Sequence, residues 1–260
     1  RHDDTAGERM SMRIAIMTVT YNRKEYCEKT IRHVLSQDMP HGALDIFVHD
    51  NNSTDGTVSM LQDMEHACAN VSVNYGTENL GTAGGYRTLL SRYIFGRGYD
   101  FIIKNDDDEY FPDGWHDILS YWQEIEQKDV LMVGYKRKCT NDYFEGLKWI
   151  ARTPEHMTPI HYGTNECYLS YIVPGPQICT EQGWADIFPA LSDFGEKFGG
   201  WDASCAMRIH ALQKHCLVVY NKECIHFQKW EDYPEYSQQK FEQIKRVSDR
   251  ITQLRNAGEL

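Results

Sequence analysis

Four consecutive acidic side chains, Asp106-Asp107-Asp108-Glu109, follow closely on the apolar run Phe101-Ile102-Ile103. Crowding that much negative charge into one turn is costly unless a cation neutralises it. The preceding run is β-prone and bounded by Gly98, so it reads as a buried strand. In an open α/β sheet, ligands bind just beyond the carboxyl ends of the strands. An acidic cluster at such a place is a seat for Mg²⁺ or Mn²⁺. One or two carboxylates hold the ion, and the remaining positions go to substrate phosphate and water. A solvated acidic loop leading into a helix after Pro112 is the plainer alternative.

The elements that must carry this turn can be read on either side of it. Ile14–Thr20 is a continuous apolar strand of the kind buried on both faces of a parallel sheet, and Tyr21-Asn22 breaks it. The spacing predicts a helix over 24–37 with Cys27, Ile31, Val34 and Leu35 on one stripe. Pro40-His41-Gly42 turns into a second strand, Asp45–His49. The segment Asp50–Thr57, rich in turn and cap residues, then opens a helix through Ala67. Val71–Tyr75 is a third strand, Gly81–Gly85 opens a helix to Phe95, and the strand before the acidic turn is the fourth. This alternation predicts an α/β fold with a mostly parallel central sheet and right-handed crossovers over residues 12–135.

After a strand at Val130–Tyr135 the rhythm is lost. Residues 136–200 are expected to be loop-rich, with Pro154, Pro159, Pro174, Pro176 and Pro189, as suits a region covering a substrate. The second half is taken to run from 136 to 234. A C-terminal helix is expected within 235–260, with Phe241, Ile244, Val247, Ile251 and Leu254 on one face.

The 260 residues are 41% hydrophobic and 12% aromatic, enough for one large domain with a real core. A net charge of −11, from 38 acidic and 27 basic residues, argues against a protein that grips nucleic acid through its overall field. Eight scattered cysteines with no C-x-x-C pair read as reduced thiols rather than a zinc site or a disulfide framework. No stretch reaches the roughly 18 apolar residues that span a bilayer, and the first residues lack an apolar leader. The expectation is a cytoplasmic protein, with at most peripheral contact at the inner membrane face.

Five signals come in order: Thr20-Tyr21-Asn22-Arg23 at the end of the first strand, Asp50-Asn51-Asn52-Ser53-Thr54-Asp55-Gly56-Thr57 after the second, Asn79-Leu80-Gly81-Thr82-Ala83-Gly84-Gly85 at a helix start, Asp106-x-Asp108 after the fourth strand, and Asp202 six residues before Arg208. Together, over residues 13–230, they resemble the family 2 glycosyltransferases, which have the GT-A fold. Trp201 stands where many members carry the first acid of a Glu-Asp pair, a feature shared with galactofuranosyltransferases.

The resemblance implies an inverting, metal-dependent enzyme that moves a sugar from a nucleotide-diphosphate sugar, with UDP-sugars the expected donors, to a hydroxyl of a saccharide or glycoconjugate. Thr20, Tyr21, Asn22, Arg23, Asp50, Asn79, Gly81, Gly84, Lys104, Asp106 and Asp107 would line the donor site. Asp106, Asp108 and His226 would hold Mn²⁺ or Mg²⁺. Asp202 would take the proton of the attacking hydroxyl. Trp201 would offer a stacking face to a sugar and an apolar wall beside that carboxylate, and Trp230 would line the acceptor cleft. Asp50 has the chemistry to accept the imide N–H of uracil, though it also suits an Asx-turn or helix cap, and Asp202 also suits a helix N-cap. Pro112 lies four residues after Asp108, where relatives have five, so Asn105-x-Asp107 is a second possible register. A nucleotidyltransferase on a related α/β sheet and a non-catalytic nucleotide- or carbohydrate-binding module are the alternatives.

Overall fold

A computed structural model describes residues 12–39, 42–139, 158–170, 173, 175–189 and 201–227, together with helical positions 242, 249 and 253. Its backbone begins as the hydrophobic pattern requires. Strands β1 (Met12–Thr20), β2 (Gly42–Asp50), β3 (Val71–Tyr75) and β4 (Phe101–Lys104) alternate with helices α1 (Lys24–Leu35), α2 (Thr57–Ala67) and α3 (Gly81–Leu89). All the pairings among these four strands are parallel: β1 with β2, β1 with β4, and β2 with β3. The chain then adds β5 (Glu109–Tyr110), α4 (Trp122–Glu126), β6 (Val130–Cys139), β7 (Ile160–Tyr162), β8 (Asn165–Ser170), β9 (Gln177–Cys179), α5 (Glu181–Ile187), α6 (Trp201–Ala211) and β10 (His215–His226). One mixed sheet runs β3-β2-β1-β4-β9-β6-β10-β8-β7, with β5 attached to β10.

Residue alternation along the central strands sorts the core into two layers. Ile14, Ile16, Ile46, Val48, Phe101 and Ile103 face one side, against Cys27, Ile31 and Val34 of α1 and Met60, Leu61 and Met64 of α2. Their neighbours Ala15, Met17, Phe47 and Ile102 face the other, against Tyr86 and Leu89 of α3, Trp184 of α5, and Trp201, Cys205 and Ile209 of α6. Because side chains switch face at every residue, a strand segment covered on both faces must be apolar throughout, and β1 is from Ile14 to Met17. Each fully buried aliphatic side chain contributes about 1.5–3 kcal/mol, so the two layers supply most of the favourable free energy.

The departures from the sequence reading cluster after residue 104. Where one helix is expected after Pro112, a tight 3₁₀ turn over Trp115–Tyr121 leads into the short α4. The helix opened by Gly81 passes into a π-turn at Leu90–Ile94 before reaching Phe95. β6 continues past Tyr135 to Cys139, although Lys136-Arg137-Lys138 looks like the start of a loop. The reason is pairing: this polar stretch continues the parallel ladder with Glu223–His226 of β10. The stretch taken to be loop-rich also contributes β7, β8, β9 and α5. β9 is only three residues long and wedges antiparallel between β4 and β6. The expected helix over 235–256 and Trp230 lie outside the described residues, apart from the helical positions 242, 249 and 253. Among the described residues no helix is long and apolar enough to cross a membrane.

Candidate active site

The parallel register brings Thr20 and Asp50 side by side at the carboxyl ends of β1 and β2. The acidic turn emerges next to them, because β4 pairs with β1 up to Met17 and Lys104, and Asn105 N–H then donates to the Met17 carbonyl. The turn is held from within. Asn105 Nδ2 donates to the carbonyls of Asp106 and Glu109, and the buried Tyr86 hydroxyl donates to the Asn105 carbonyl at 2.9 Å.

Each carboxylate of the turn meets a cation. Arg23 Nη1 lies 2.6 Å from Asp107 Oδ1, and its Nη2 lies 2.5 Å from Asp108 Oδ2. Thr20 Oγ1 donates to the other oxygen of Asp107 at 2.7 Å. Lys104 Nζ is 2.7 Å from Asp106 Oδ1, and Arg137 spans Asp106 Oδ2 at 3.0 Å and Glu109 Oε1 at 2.8 Å. Burial pushes Asp107 up to about 6, against the opposing pull of Arg23, and raises Glu109 against Arg137. For Lys104 burial works the other way, but Asp106 and Asp202 outweigh it and hold the ammonium above its ordinary range. These are charges withdrawn from water and kept there by one another.

Asp202 sits in the first turn of α6, inside the helix rather than capping it. Its Oδ1 lies 2.8 Å from Gln177 Nε2 and 3.8 Å from Lys104 Nζ. The side chain is 36% exposed, whereas that of Lys104 is 2% exposed. Lys104 therefore joins Asp202 to the acidic turn. Trp201, expected to present a stacking face, is 4% exposed, packed against Tyr86 and Trp184, with its indole N–H donated to Gln177 Oε1. That expectation is corrected: the ring is enclosed because α6 lays this side of its first turn on the sheet, and it forms a wall behind Asp202.

His226, the last residue of β10, brings Nε2 to 3.2 Å from Asp108 Oδ2. Asp106, the third residue expected in a metal site, meets Lys104 and Arg137, as Asp108 meets Arg23. Among the described residues no three His, Cys, Asp or Glu side chains converge into a complete cage. The donor set still fits a divalent cation that shares its coordination with phosphate. Asp108 and His226 supply an oxygen and a nitrogen together. Five carboxylates (Asp106, Asp107, Asp108, Glu109, Asp202) face three fixed cations (Arg23, Lys104, Arg137), leaving two negative charges over among these residues.

The remaining expected donor-site residues divide by their partners. Asp50 Oδ2 accepts the Ser53 N–H at 3.0 Å, which is the Asx-turn, while its buried Oδ1 has no partner among the described residues. Asn22, at φ 52°, uses its side chain as a stitch: Oδ1 accepts the Thr54 N–H at 2.7 Å. Tyr21 is exposed beside it. Asn79 Oδ1 accepts the Gly81 N–H at 2.8 Å, and Gly84 packs so closely on Leu80 that a Cβ would come within 2.6 Å of the Leu80 Cβ. Asn22, Asn79 and Gly84 thus shape the rim of the site through backbone and turn contacts.

Three residues of the site escaped the sequence reading. Arg137 lay beyond the expected end of its strand, although a cation was owed to Glu109, which is 0% exposed. Asn51 accepts the Leu80 N–H and donates to the Gly81 carbonyl, tying the second strand's loop to the glycine-rich turn. Gln177 is the one polar residue in a three-residue strand.

Known proteins resemble this chain in sequence over part of its length and in fold over most of it. The chain is 32% identical over 111 residues to the putative teichuronic acid biosynthesis glycosyltransferase TuaG of Bacillus subtilis, covering 43% of this chain and 42% of that protein. It is 30% identical over 96 residues to the abequosyltransferase RfbV of Salmonella typhimurium, covering 37% of this chain and 28% of that one. The chain thus spans less than half the length of these curated relatives. Among solved structures, the mannosyltransferase PcManGT of Pyrobaculum calidifontis, in complex with GDP-Man and Mn²⁺, superposes with a TM-score of 0.58 at 18% identity, covering 85% of this chain and 59% of that one. TarS 1-349 of S. aureus in complex with UDP-GlcNAc gives a TM-score of 0.55 at 16% identity, covering 84% and 59%. These superpositions show the GT-A fold. The model of the family described as "Glycosyl transferase family 2" matches residues 15–175, more than half of the sequence, and the chain belongs to that family.

Proposed function

We propose that the protein is an inverting glycosyltransferase that moves a sugar from a nucleotide-diphosphate sugar, of the UDP class, to a hydroxyl of a glycan or glycoconjugate. The observation that carries this reading is the bridge through Lys104. It links a partly exposed carboxylate, Asp202, to a buried acidic turn whose four carboxylates meet three fixed cations among the described residues. One centre suits a diphosphate leaving group and the other suits a proton, and they lie side by side.

The roles follow from chemistry. Thr20 and Asp50 line the base and ribose end, where the partnerless Asp50 Oδ1 is an acceptor aimed at a donor such as the imide N–H of uracil. Asp108 and His226 would hold Mn²⁺ or Mg²⁺, which supplies neutralisation of the charge that builds on the departing diphosphate. Asp202 accepts the proton of the acceptor hydroxyl as its oxygen bonds to the anomeric carbon and the bond to the diphosphate breaks on the opposite face. Trp201, buried behind it, keeps water from one side of the carboxylate. TarS and PcManGT were solved with UDP-GlcNAc and with GDP-Man and Mn²⁺, which supports a nucleotide sugar and a divalent cation here.

Calorimetric titration of UDP with and without Mn²⁺, followed by measurement of UDP release from a panel of UDP-sugars, tests the reading. Mn²⁺-dependent UDP binding and slow donor hydrolysis are expected. Asp202→Asn should abolish turnover while leaving UDP affinity intact. Binding with no turnover of any donor, with or without added saccharides, would make this a nucleotide-binding module instead.

A further inference from the structure

We infer that Gln177 is a positioning residue for catalysis: its amide, oriented by the Trp201 indole, holds Asp202 so that Oδ1 is anchored and Oδ2 is the oxygen that receives the proton. This rests on the role of Asp202 proposed above.

The argument begins with donor and acceptor chemistry. Trp201 Nε1–H can only donate, and it lies 2.8 Å from Gln177 Oε1. The amide oxygen must therefore face the indole, which turns the NH₂ group the other way. There it finds two groups that can only accept: the Val173 carbonyl at 3.1 Å and Asp202 Oδ1 at 2.8 Å. One acceptor and two donor positions are filled with no ambiguity of flip, so the orientation is dictated by the partners. Gln177 is 1% exposed, and at that depth a misdirected amide would leave polar atoms unpaired.

The sheet supplies the second half. In the antiparallel pairing of β9 with β4, Gln177 stands directly opposite Lys104. Directly opposed residues share one face of a sheet, so amide and ammonium approach the same carboxylate oxygen from adjacent strands, at 2.8 and 3.8 Å. Asp202 Oδ2 has no hydrogen-bond partner among the described residues, and the side chain is 36% exposed. A carboxylate with one oxygen clamped and the other open is set to accept a proton from one direction. The short β9 and the buried Trp201, neither of which touches a nucleotide on this reading, thereby acquire a reason.

Three variants test this: Gln177→Met keeps the bulk and removes the amide, Gln177→Leu removes it with a second apolar shape, and Trp201→Phe keeps an aromatic ring and removes the orienting N–H. Steady-state hydrolysis of UDP-glucose, UDP-galactose and UDP-N-acetylglucosamine gives kcat and KM, calorimetry gives UDP affinity, and thermal melts report folding. Both Gln177 variants should lose about 10- to 100-fold in kcat with donor KM and UDP affinity within about twofold of wild type. Trp201→Phe should lose about 3- to 10-fold alone and nothing further in the Gln177→Met background, because the indole N–H acts only through the amide. If Gln177→Met does not fold, Gln177→Leu carries the test.

A kcat within twofold of wild type in a folded Gln177 variant overturns the inference, as does a loss confined to KM. So do additive losses in the double variant. Asp202→Asn, run alongside, separates the two levels. If it retains turnover, or if wild type hydrolyses none of the donors, the reading of Asp202 itself falls. If it is inactive while the Gln177 variants are not, only the role of Gln177 falls.

Discussion

Arg23 reaches both Asp107 and Asp108, at 2.6 and 2.5 Å, and replacing it by Met removes both contacts. The side chains of all three residues are nearly withdrawn from water, 11%, 4% and 2% exposed. Screening by solvent is therefore slight. Breaking a buried pair by deleting one partner costs about 3–5 kcal/mol, because the remaining charge stays desolvated. For a chain of this size that corresponds to roughly a 10 °C fall in Tm.

The loss should depend on pH, and its sign follows from Asp107. Burial already lifts this carboxyl from 3.8 to about 6. An acid whose folded-state value exceeds its unfolded one destabilises progressively as pH rises through the interval between them, here from about 4 to about 6. Removing Arg23 takes away the main opposing pull. The deficit should therefore be fully expressed near about pH 8 and shrink toward about pH 4.5, where protonation relieves the stranded charge. Thermal melts of wild type and Arg23→Met across that range measure it. A deficit of less than about 1 kcal/mol at the alkaline end, or one that stays constant with pH, would refute the claim that buried charge pairing holds the acidic turn.

Two other substitutions probe the donor pocket and its support. Asp50→Asn keeps an oxygen for the Ser53 N–H but exchanges the partnerless acceptor for a donor, so UDP affinity by calorimetry should fall about 10- to 100-fold with Tm little changed. An unchanged dissociation constant would remove Asp50 from the nucleotide pocket. Gly85→Ala would place a Cβ 2.7 Å from both methyl carbons of Val19 and 3.0 Å from His49 Cδ2, forcing α3 off the sheet. A loss of about 1–3 kcal/mol is expected in urea melts, and a stability equal to wild type would show that the helix has room to shift.

The half of the molecule whose contacts are local or periodic was legible from the residues. β1 could be read because a strand covered on both faces must be apolar at every position, and the residues from Ile14 to Met17 are all buried. The Asp50–Thr57 loop was legible because its turn and cap chemistry is local: Asp50 takes the Ser53 N–H and Asp55 takes the Thr57 hydroxyl. The acidic turn announced itself by a density of charge that demands compensation.

The tertiary structure alone decided which cations compensate it. Arg23 lies 84 and 85 residues from Asp107 and Asp108, and Arg137 lies 31 and 28 from Asp106 and Glu109, and no periodicity encodes those distances. It also decided that Trp201 is enclosed rather than exposed, since burial depends on what covers the helix and not on the helix's own pattern. The position of Gln177 opposite Lys104 comes from a three-residue strand inserted antiparallel into an otherwise parallel neighbourhood. Such a strand is too short to show alternation, and its side chains take their meaning only from the neighbours that the sheet brings to them.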